Sequence, residues 1–380
     1  MVKRLKLAYL HALPLALLIF LLVTSFCVPT LADSASYSAT PRSGQLVHDG
    51  VVRTYMYYVP DGLPDAPVPL VFMLHGGGGT SEVAMSDIAE NRWNELADQY
   101  KFIVIYPQGV NNHWNDCRAD YDGSTADDVG FIDALITRSS QNYRIDQNRI
   151  YATGHSNGGM MSMRLAIELS DRLAAVFSCA GPLAADSECR ALQHPVSVMF
   201  LAGTADPVIP FDGGEIAAEA GGHGTVLSAN ATVDYWTHFL GTDAAPTVTK
   251  IPDTATGDHS TVTIYRYDNG ADGTEVLYYR VDGGGHAWPS PTQFSLAIRL
   301  IAGYKNQDMV ACDEAWAFFQ QHPKQPTNTP TTTTAMTQTS TPTSPASTSG
   351  TTTARAPGPD AVVAVVACVA ALALARRPMP

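Results

Sequence analysis

The chain has 380 residues and a net charge of −13, and 45% of it is hydrophobic, which is enough to build an ordinary globular core. Residues 33–323 hold 35 acidic against 16 basic side chains, with Lys101, Lys250 and Lys305 as the only lysines, so the electrostatics argue against nucleic acid as a partner. This acidity reads as a solvated surface and carries no substrate information.

The first 32 residues begin basic (Lys3, Arg4, Lys6), run apolar over 13–28 and end on Thr30-Leu31-Ala32, with small residues at the −3 and −1 positions of a cleavage site. That pattern is a secretory signal peptide; an uncleaved membrane anchor is the alternative, because the apolar run is long. Phe26 stands where a lipoprotein signal has a small residue before its cysteine, which argues against lipidation of Cys27.

Beyond residue 32, short apolar runs alternate with helical patterns. Strands are expected at 51–59, 70–75, 102–106, 149–154, 174–180, 196–202 and 276–281, and helices at 88–100, 127–142, 157–169, 229–240 and 312–322. Such alternation builds βαβ units, and so an α/β fold with a largely parallel central sheet flanked by helices on both faces. Right-handed crossovers then bring the C-terminal end of each parallel strand, and the loop after it, to one sheet edge.

Four polar landmarks follow strands on that edge: "MLHGGGGT" from Met73, "GHSNG" from Gly154, "AGTADPVIP" from Ala202 and "VDGGGHAWP" from Val281. A Gly-X-Ser-X-Gly pentapeptide between strand and helix can be an ordinary tight turn. It can also be a strained bend that exposes a nucleophilic serine, with glycines on either side leaving room for the bend. The order Ser156, Asp206, His286 is that of the α/β-hydrolase triad. In that arrangement His286 removes the serine proton and Asp206 fixes the imidazole tautomer and stabilises its positive charge. The backbone N–H groups of Gly77 and Asn157 supply an oxyanion hole.

Each of these residues has a plainer reading. The glycine loop after His75 could cradle phosphate, but it lacks the Gly-Lys-Ser/Thr ending of a P-loop. Asp212 is a rival to Asp206. His155 is expected to point into the packing of the turn, and Asp127 and Asp128 to cap a helix. Trp114 and Trp288 are candidate substrate-binding walls of an acyl or aromatic pocket, with core packing the alternative. Cys117, Cys179, Cys189 and Cys312 allow three pairings; proximity in sequence favours Cys179 with Cys189, and the spacing matches no zinc site.

Residues 324–356 are dominated by Thr, Pro and Ser and read as an extended stalk. Pro357-Gly358-Pro359, the apolar run 361–375 and Arg376-Arg377 follow. That order resembles the tripartite C-terminal sorting signals of archaeal surface proteins, with Pro359 where those have Phe; a plain C-terminal membrane anchor is the alternative.

The stretches "LHGGGG", "YPQGVNNHWND", "DDVGFIDALI", "IYATGHSNGGMMS", "GTADPVIPFDGG" and "GGGHAWP" together resemble the secreted poly(3-hydroxybutyrate) depolymerase and feruloyl esterase group, related to family 1 carbohydrate esterases. The resemblance spans nearly all of residues 45–322. It implies a single α/β-hydrolase domain over 33–323 that cleaves hydroxyalkanoate or hydroxycinnamate esters, with Ser156, Asp206 and His286 at the triad positions. Ala202 departs from the group's usual His, and the C-terminal tail is absent from its soluble members. The resulting expectation is a secreted, surface-attached, monomeric serine esterase that needs no cofactor and no metal and meets the cell envelope through its tail. A carbohydrate deacetylase or peptidase on the same scaffold, or a non-catalytic surface adhesin, is the alternative.

Overall fold

The computed structural model describes residues 38–121, 123–217 and 224–324. The expected signal peptide, the stalk beyond Lys324 and the C-terminal segment lie outside the described residues. In chain order the strands are β1 (Arg42–His48), β2 (Val51–Tyr58), β3 (Val68–Leu74), β4 (Ile103–Pro107), β5 (Ile145–His155), β6 (Ala175–Cys179), β7 (Ser197–Gly203), the short β8 (Gly214–Glu215) and β9 (Thr225–Val226), β10 (Thr247–Lys250), β11 (Thr261–Tyr267) and β12 (Val276–Asp282). β8 pairs with β9; the others form one sheet in the order β1-β2-β4-β3-β5-β6-β7-β12-β11-β10.

From β4 to β12 the neighbours are parallel. The β1–β2 hairpin closes one edge antiparallel to β4, and β11 and β10 close the other antiparallel to β12. Strands β3, β6 and β7 are buried along their whole length, as their unbroken apolar runs require when helices cover both faces. Register places Leu74 beside Gly154 and Gly203 beside Val281, so the loops that begin at His75, Ser156, Thr204 and Gly283 leave the same sheet edge.

The helices are α1 (Arg92–Tyr100), α2 (Asp128–Asn142), α3 (Asn157–Glu168), α4 (Ala229–Leu240), α5 (Leu296–Ala302) and α6 (Ala311–Gln321). Asp127 caps α2 by accepting the Gly130 N–H, and Ser228 caps α4 by accepting that of Ala231. Helices α2, α3 and α4 cover an apolar core that includes Phe72, Ile132, Leu135, Ile150, Leu165 and Val198. Side chains alternate faces along a strand, so Tyr151 points the other way from Ile150, toward α1 and α6. There its ring stacks on Phe319 at 4.6 Å, and Phe102 stacks on Trp316 at 4.1 Å.

Strands β1, β8, β9, β10 and β11 and helix α5 were not anticipated from the sequence, and α1 starts at Arg92 rather than at residue 88. Residues Ala84–Ile88 close as a π turn, and Glu90 and Asn91 take left-handed φ of 50° and 60°, which breaks the helix before it starts. The favoured Cys179–Cys189 pairing is also overturned. The disulfide joins Cys117 to Cys189, and Cys179 and Cys312 are free and buried. Cys179 is fixed at the end of β6 in mid-sheet, whereas Cys189 lies on a loop that folds back to bridge Arg118 through Ser187.

Candidate active site

At the end of β5 the chain turns so sharply that Ser156 takes φ 58° and ψ −126°, a region costly for any residue with a side chain. Gly154 and Gly158 make the turn possible. A Cβ on Gly154 would sit 2.4 Å from the Gly158 carbonyl, and one on Gly158 would sit 2.4 Å from the His75 oxygen. The turn is tied to β6 by the Ser156 N–H, which donates to the Cys179 oxygen at 2.8 Å. Ser156 is half-buried between neighbours that are buried, so its side chain emerges at the surface of the edge. Its Oγ makes no hydrogen bond among the described residues; such bonds often tighten only when substrate is bound.

Asn157 opens α3, where first-turn N–H groups lack helical partners. Neither its N–H nor that of Gly77 meets an acceptor among the described residues. The two groups are neighbours: a Cβ on Gly77 would lie 3.7 Å from the Asn157 Cβ. His75, fully buried, fixes the first of them. Its Nδ1–H donates to the Gly76 oxygen at 2.8 Å, and the same oxygen accepts the Gly79 N–H at 3.0 Å. A trans peptide points its N–H away from its carbonyl, so pinning the Gly76 oxygen aims the Gly77 N–H in the opposite direction. The Nε2 of His75 accepts the Gly109 N–H at 2.9 Å, a role open only to the neutral ring, and burial lowers the pKa of His75 to about 4.

The Asn157 side chain holds the second donor's position. Its Oδ1 accepts the Trp114 N–H at 2.8 Å, while its Nδ2 donates to the Trp114 oxygen at 3.0 Å and to Asp116 Oδ2 at 2.6 Å. Asp116 in turn takes a bidentate bond from Arg118, with both side chains buried. Trp114 completes the link by donating its indole N–H to the His75 oxygen at 2.8 Å. The expectation that Trp114 and Trp288 wall a pocket is therefore corrected. Trp114 has no exposed surface and serves as a strut beneath the glycine loop, and Trp288 packs on Phe177 at 5.2 Å in the core.

Opposite the turn, His286 Nδ1 hydrogen-bonds Asp206 Oδ2 at 2.8 Å. The other carboxylate oxygen of Asp206 accepts the N–H groups of Val208 and Ile209, each at 2.8 Å, which fixes the plane of the carboxylate. The rival Asp212 is exposed. The backbone of His286 donates to the Ala302 oxygen at 2.6 Å, and its ring lies 4.7 Å from that of His155. His155 is buried with no partner for its Nε2, and desolvation followed by the nearby His286 holds its pKa well below the usual histidine value. Cys179 spans the site: its oxygen holds the Ser156 N–H and its thiol donates to the Ala287 oxygen at 3.3 Å. Burial pushes that thiol's pKa well up, so it stays protonated.

The arrangement brings a strained serine, an imidazole oriented by a carboxylate and two N–H groups that meet no acceptor among the described residues to one sheet edge, the groups that acyl transfer through a serine requires. Sequence reasoning named these residues but missed the groups that position them: the His75 bond to Gly76, the Asn157 side chain and Cys179. The signal available was a run of polar residues placed where strands end in a buried edge.

Comparison with known proteins adds four findings. The family described as Esterase PHB depolymerase matches residues 53–228. NocK of Nocardia uniformis subsp. tsuyamanensis, an esterase by name, is 32% identical over 268 residues, 67% of this chain and 76% of its own length. Feruloyl esterase C of Emericella nidulans is 30% identical over 227 residues, 59% of this chain and 78% of its own. A solved acetyl xylan esterase from Aspergillus awamori aligns at 18% identity with a TM-score of 0.46, over 66% of this chain and 95% of that one.

Proposed function

The chain belongs to the PHB depolymerase family of esterases and hydrolyses carboxylic ester bonds as a serine hydrolase, and we propose that it does so through an acyl-enzyme on Ser156. His286 takes the Ser156 proton as Oγ attacks the ester carbonyl, and returns it to the departing alcohol. Asp206 holds the proton-bearing Nδ1 of His286 in place and stabilises the imidazolium. The oxyanion is held by the N–H groups of Gly77 and Asn157; one such donor is worth about 3 to 4 kcal/mol in the transition state. Water activated by His286 then releases the acid.

The observation that carries this reading is the 2.8 Å Asp206–His286 bond on the same sheet edge as a serine held at φ 58°. Substrates are esters of hydroxyalkanoates, as oligomer or polymer, or of hydroxycinnamic acids. Labelling with a fluorophosphonate, followed by peptide mapping, places the adduct on Ser156. Turnover of 3-hydroxybutyrate oligomers, methyl ferulate and acetylated xylan then ranks the acyl groups, and an unlabelled Ser156 in folded protein overturns the mechanism.

The Cys117–Cys189 disulfide suits an oxidising compartment outside the cytosol. Attachment to the cell envelope through residues 324–380 is part of the same proposal. It is tested by fractionating full-length protein against a chain ending at Pro323; both forms free in the medium would refute it.

A further inference from the structure

A cavity of about 200 Å³ opens between the β1–β2 hairpin and the second half of α2. It is lined by Ile103 and Ile105 of β4, both buried, and by Tyr55, Tyr57 and Tyr143, each half-buried. Tyr55 and Tyr57 lie two residues apart on β2 and so share a face, their rings 5.8 Å apart at an angle of 43°. Tyr55 is seated on the neighbouring strand, where a Cβ on Gly44 would lie 2.4 Å from its ring. Buried aliphatic and aromatic side chains with a few polar groups among them are the ordinary build of a small-molecule site.

The polar groups of this cavity are left unmatched. The three tyrosine hydroxyls, the Arg138 guanidinium and the Asn142 side-chain amide make no hydrogen bond or ion pair among the described residues. Most arginines among those residues pair with carboxylates, as Arg53 does with Asp128 and Arg172 with Asp133; Arg138 does not. No carboxylate among the described residues lines the cavity. Burial raises the pKa of Tyr55 and of Tyr143, and a cation opposes it in each case, Arg138 at the first and Arg42 at the second. The cavity is thus a cationic spot on a domain with 35 acidic against 16 basic side chains.

The cavity also stands apart from the catalytic edge. Helix α2 joins the parallel strands β4 and β5, so it runs from that edge back to the opposite one. It starts beside Trp114, where Asp128 accepts the Asn115 N–H at 2.8 Å, and Arg138 comes ten residues later, about 15 Å along the helix axis. We propose that this cavity is a second binding site, which takes one uronic acid unit of an acidic saccharide. A carboxylate is the partner that an unpaired guanidinium in carboxylate-free surroundings recognises, through two parallel N–H bonds. A single ring matches the volume and packs on the tyrosine faces. Its hydroxyls meet the tyrosine hydroxyls and the Asn142 amide, donors and acceptors that a plain aromatic acid leaves unused.

The test uses the full-length protein and methyl glucuronide as the probe, with methyl glucoside, benzoate and acetate beside it, each titrated by ligand-observed NMR. The glucuronide is expected to bind about tenfold more tightly than the glucoside, and Arg138→Gln to remove that difference, as loss of one charge-assisted pair implies. Arg138 is exposed, so the variant keeps its thermal midpoint. Hydrolysis of p-nitrophenyl acetate is unchanged by saturating glucuronide and by the substitution, because the cavity lies away from Ser156. Absence of glucuronide binding, or binding that survives Arg138→Gln, overturns the proposal. So does benzoate that binds as tightly, which marks a site for aromatic acids, or acetate that does, which marks a bare anion site. Competitive inhibition by the glucuronide overturns it too, by placing the sugar at the catalytic edge. The binding titrations do not depend on turnover, so a protein that cleaves no ester refutes the esterase reading alone.

Discussion

Asp206→Asn isolates the carboxylate's contribution, because the structure dictates how the amide must sit. Oδ1 of Asp206 accepts two backbone N–H groups, from Val208 and Ile209, and an amide meets both only with its oxygen in that place. Its NH₂ then faces His286 Nδ1, where Oδ2 now accepts at 2.8 Å. Two donors cannot face each other, so the imidazole moves its proton to Nε2. Nε2 is the nitrogen that must accept the proton from Ser156, and the base is disabled without disturbing the loops. Loss of the correct tautomer together with the compensating charge lowers kcat on the order of 10⁴-fold, or about 5.5 kcal/mol in the barrier, with KM little changed. Steady-state kinetics on a soluble ester read both constants, and Asp212→Asn, at an exposed carboxylate, is the control. More than a tenth of wild-type kcat in Asp206→Asn, or a comparable loss in the control, would refute the assignment.

Ser156→Gly is expected to raise stability by about 1 to 2 kcal/mol while removing turnover, since glycine adopts φ 58°, ψ −126° without strain; a lowered thermal midpoint would mean the turn is not strained. Cys117→Ser with Cys189→Ser opens a loop of 72 residues and should cost about 4 kcal/mol on the chain-entropy account, read as a drop in denaturation midpoint that is absent if the bond does not form. His75 is held neutral at a folded pKa of about 4 against an ordinary 6.5, so the unfolded chain binds the extra proton between those values. The stability is therefore complete above about pH 6.5 and falls by about 3 kcal/mol as the pH drops toward 4, with His155 acting in the same direction. His75→Asn should flatten part of that slope in denaturant titrations at successive pH values, and an identical slope in both proteins would contradict the buried neutral ring.

The strands that were legible in the sequence are those whose environment is uniform. β3, β6 and β7 are covered on both faces and read as unbroken apolar runs, and α2 and α4 announce themselves by an Asp and a Ser at their caps. β1 and β10 are edge strands with mostly exposed residues, so little burial imprints a pattern on them. β11, "TVTIYRY", alternates and was readable, but expecting only parallel βαβ units left no place for an antiparallel closing strand. The cysteine pairing failed for a topological reason. Ten residues of sequence separate Cys179 from Cys189, but one ends a central strand and the other swings out toward residue 117, a path no local pattern records.

Trp114 shows why the positions of chemical groups could be read while their support could not. A tryptophan in a loop after a strand fits a pocket wall equally well, because the apolar ring is the same in either place. What decides is where its polar atoms find partners: the N–H and C=O on Asn157, and the indole N–H on the His75 oxygen. These bonds join the two strand-end loops that carry the unpaired N–H groups of Gly77 and Asn157, through side chains with no exposed path to a substrate. An oxyanion hole gains its effect from donors already oriented before charge develops. Here the orientation is enforced from behind, by one buried neutral histidine and one buried amide whose hydrogen bonds are all made within the fold. In the proposed mechanism the Asn157 side chain, bonded wholly within the fold, therefore sets the position of its own backbone N–H, a role separate from any contact with the ester.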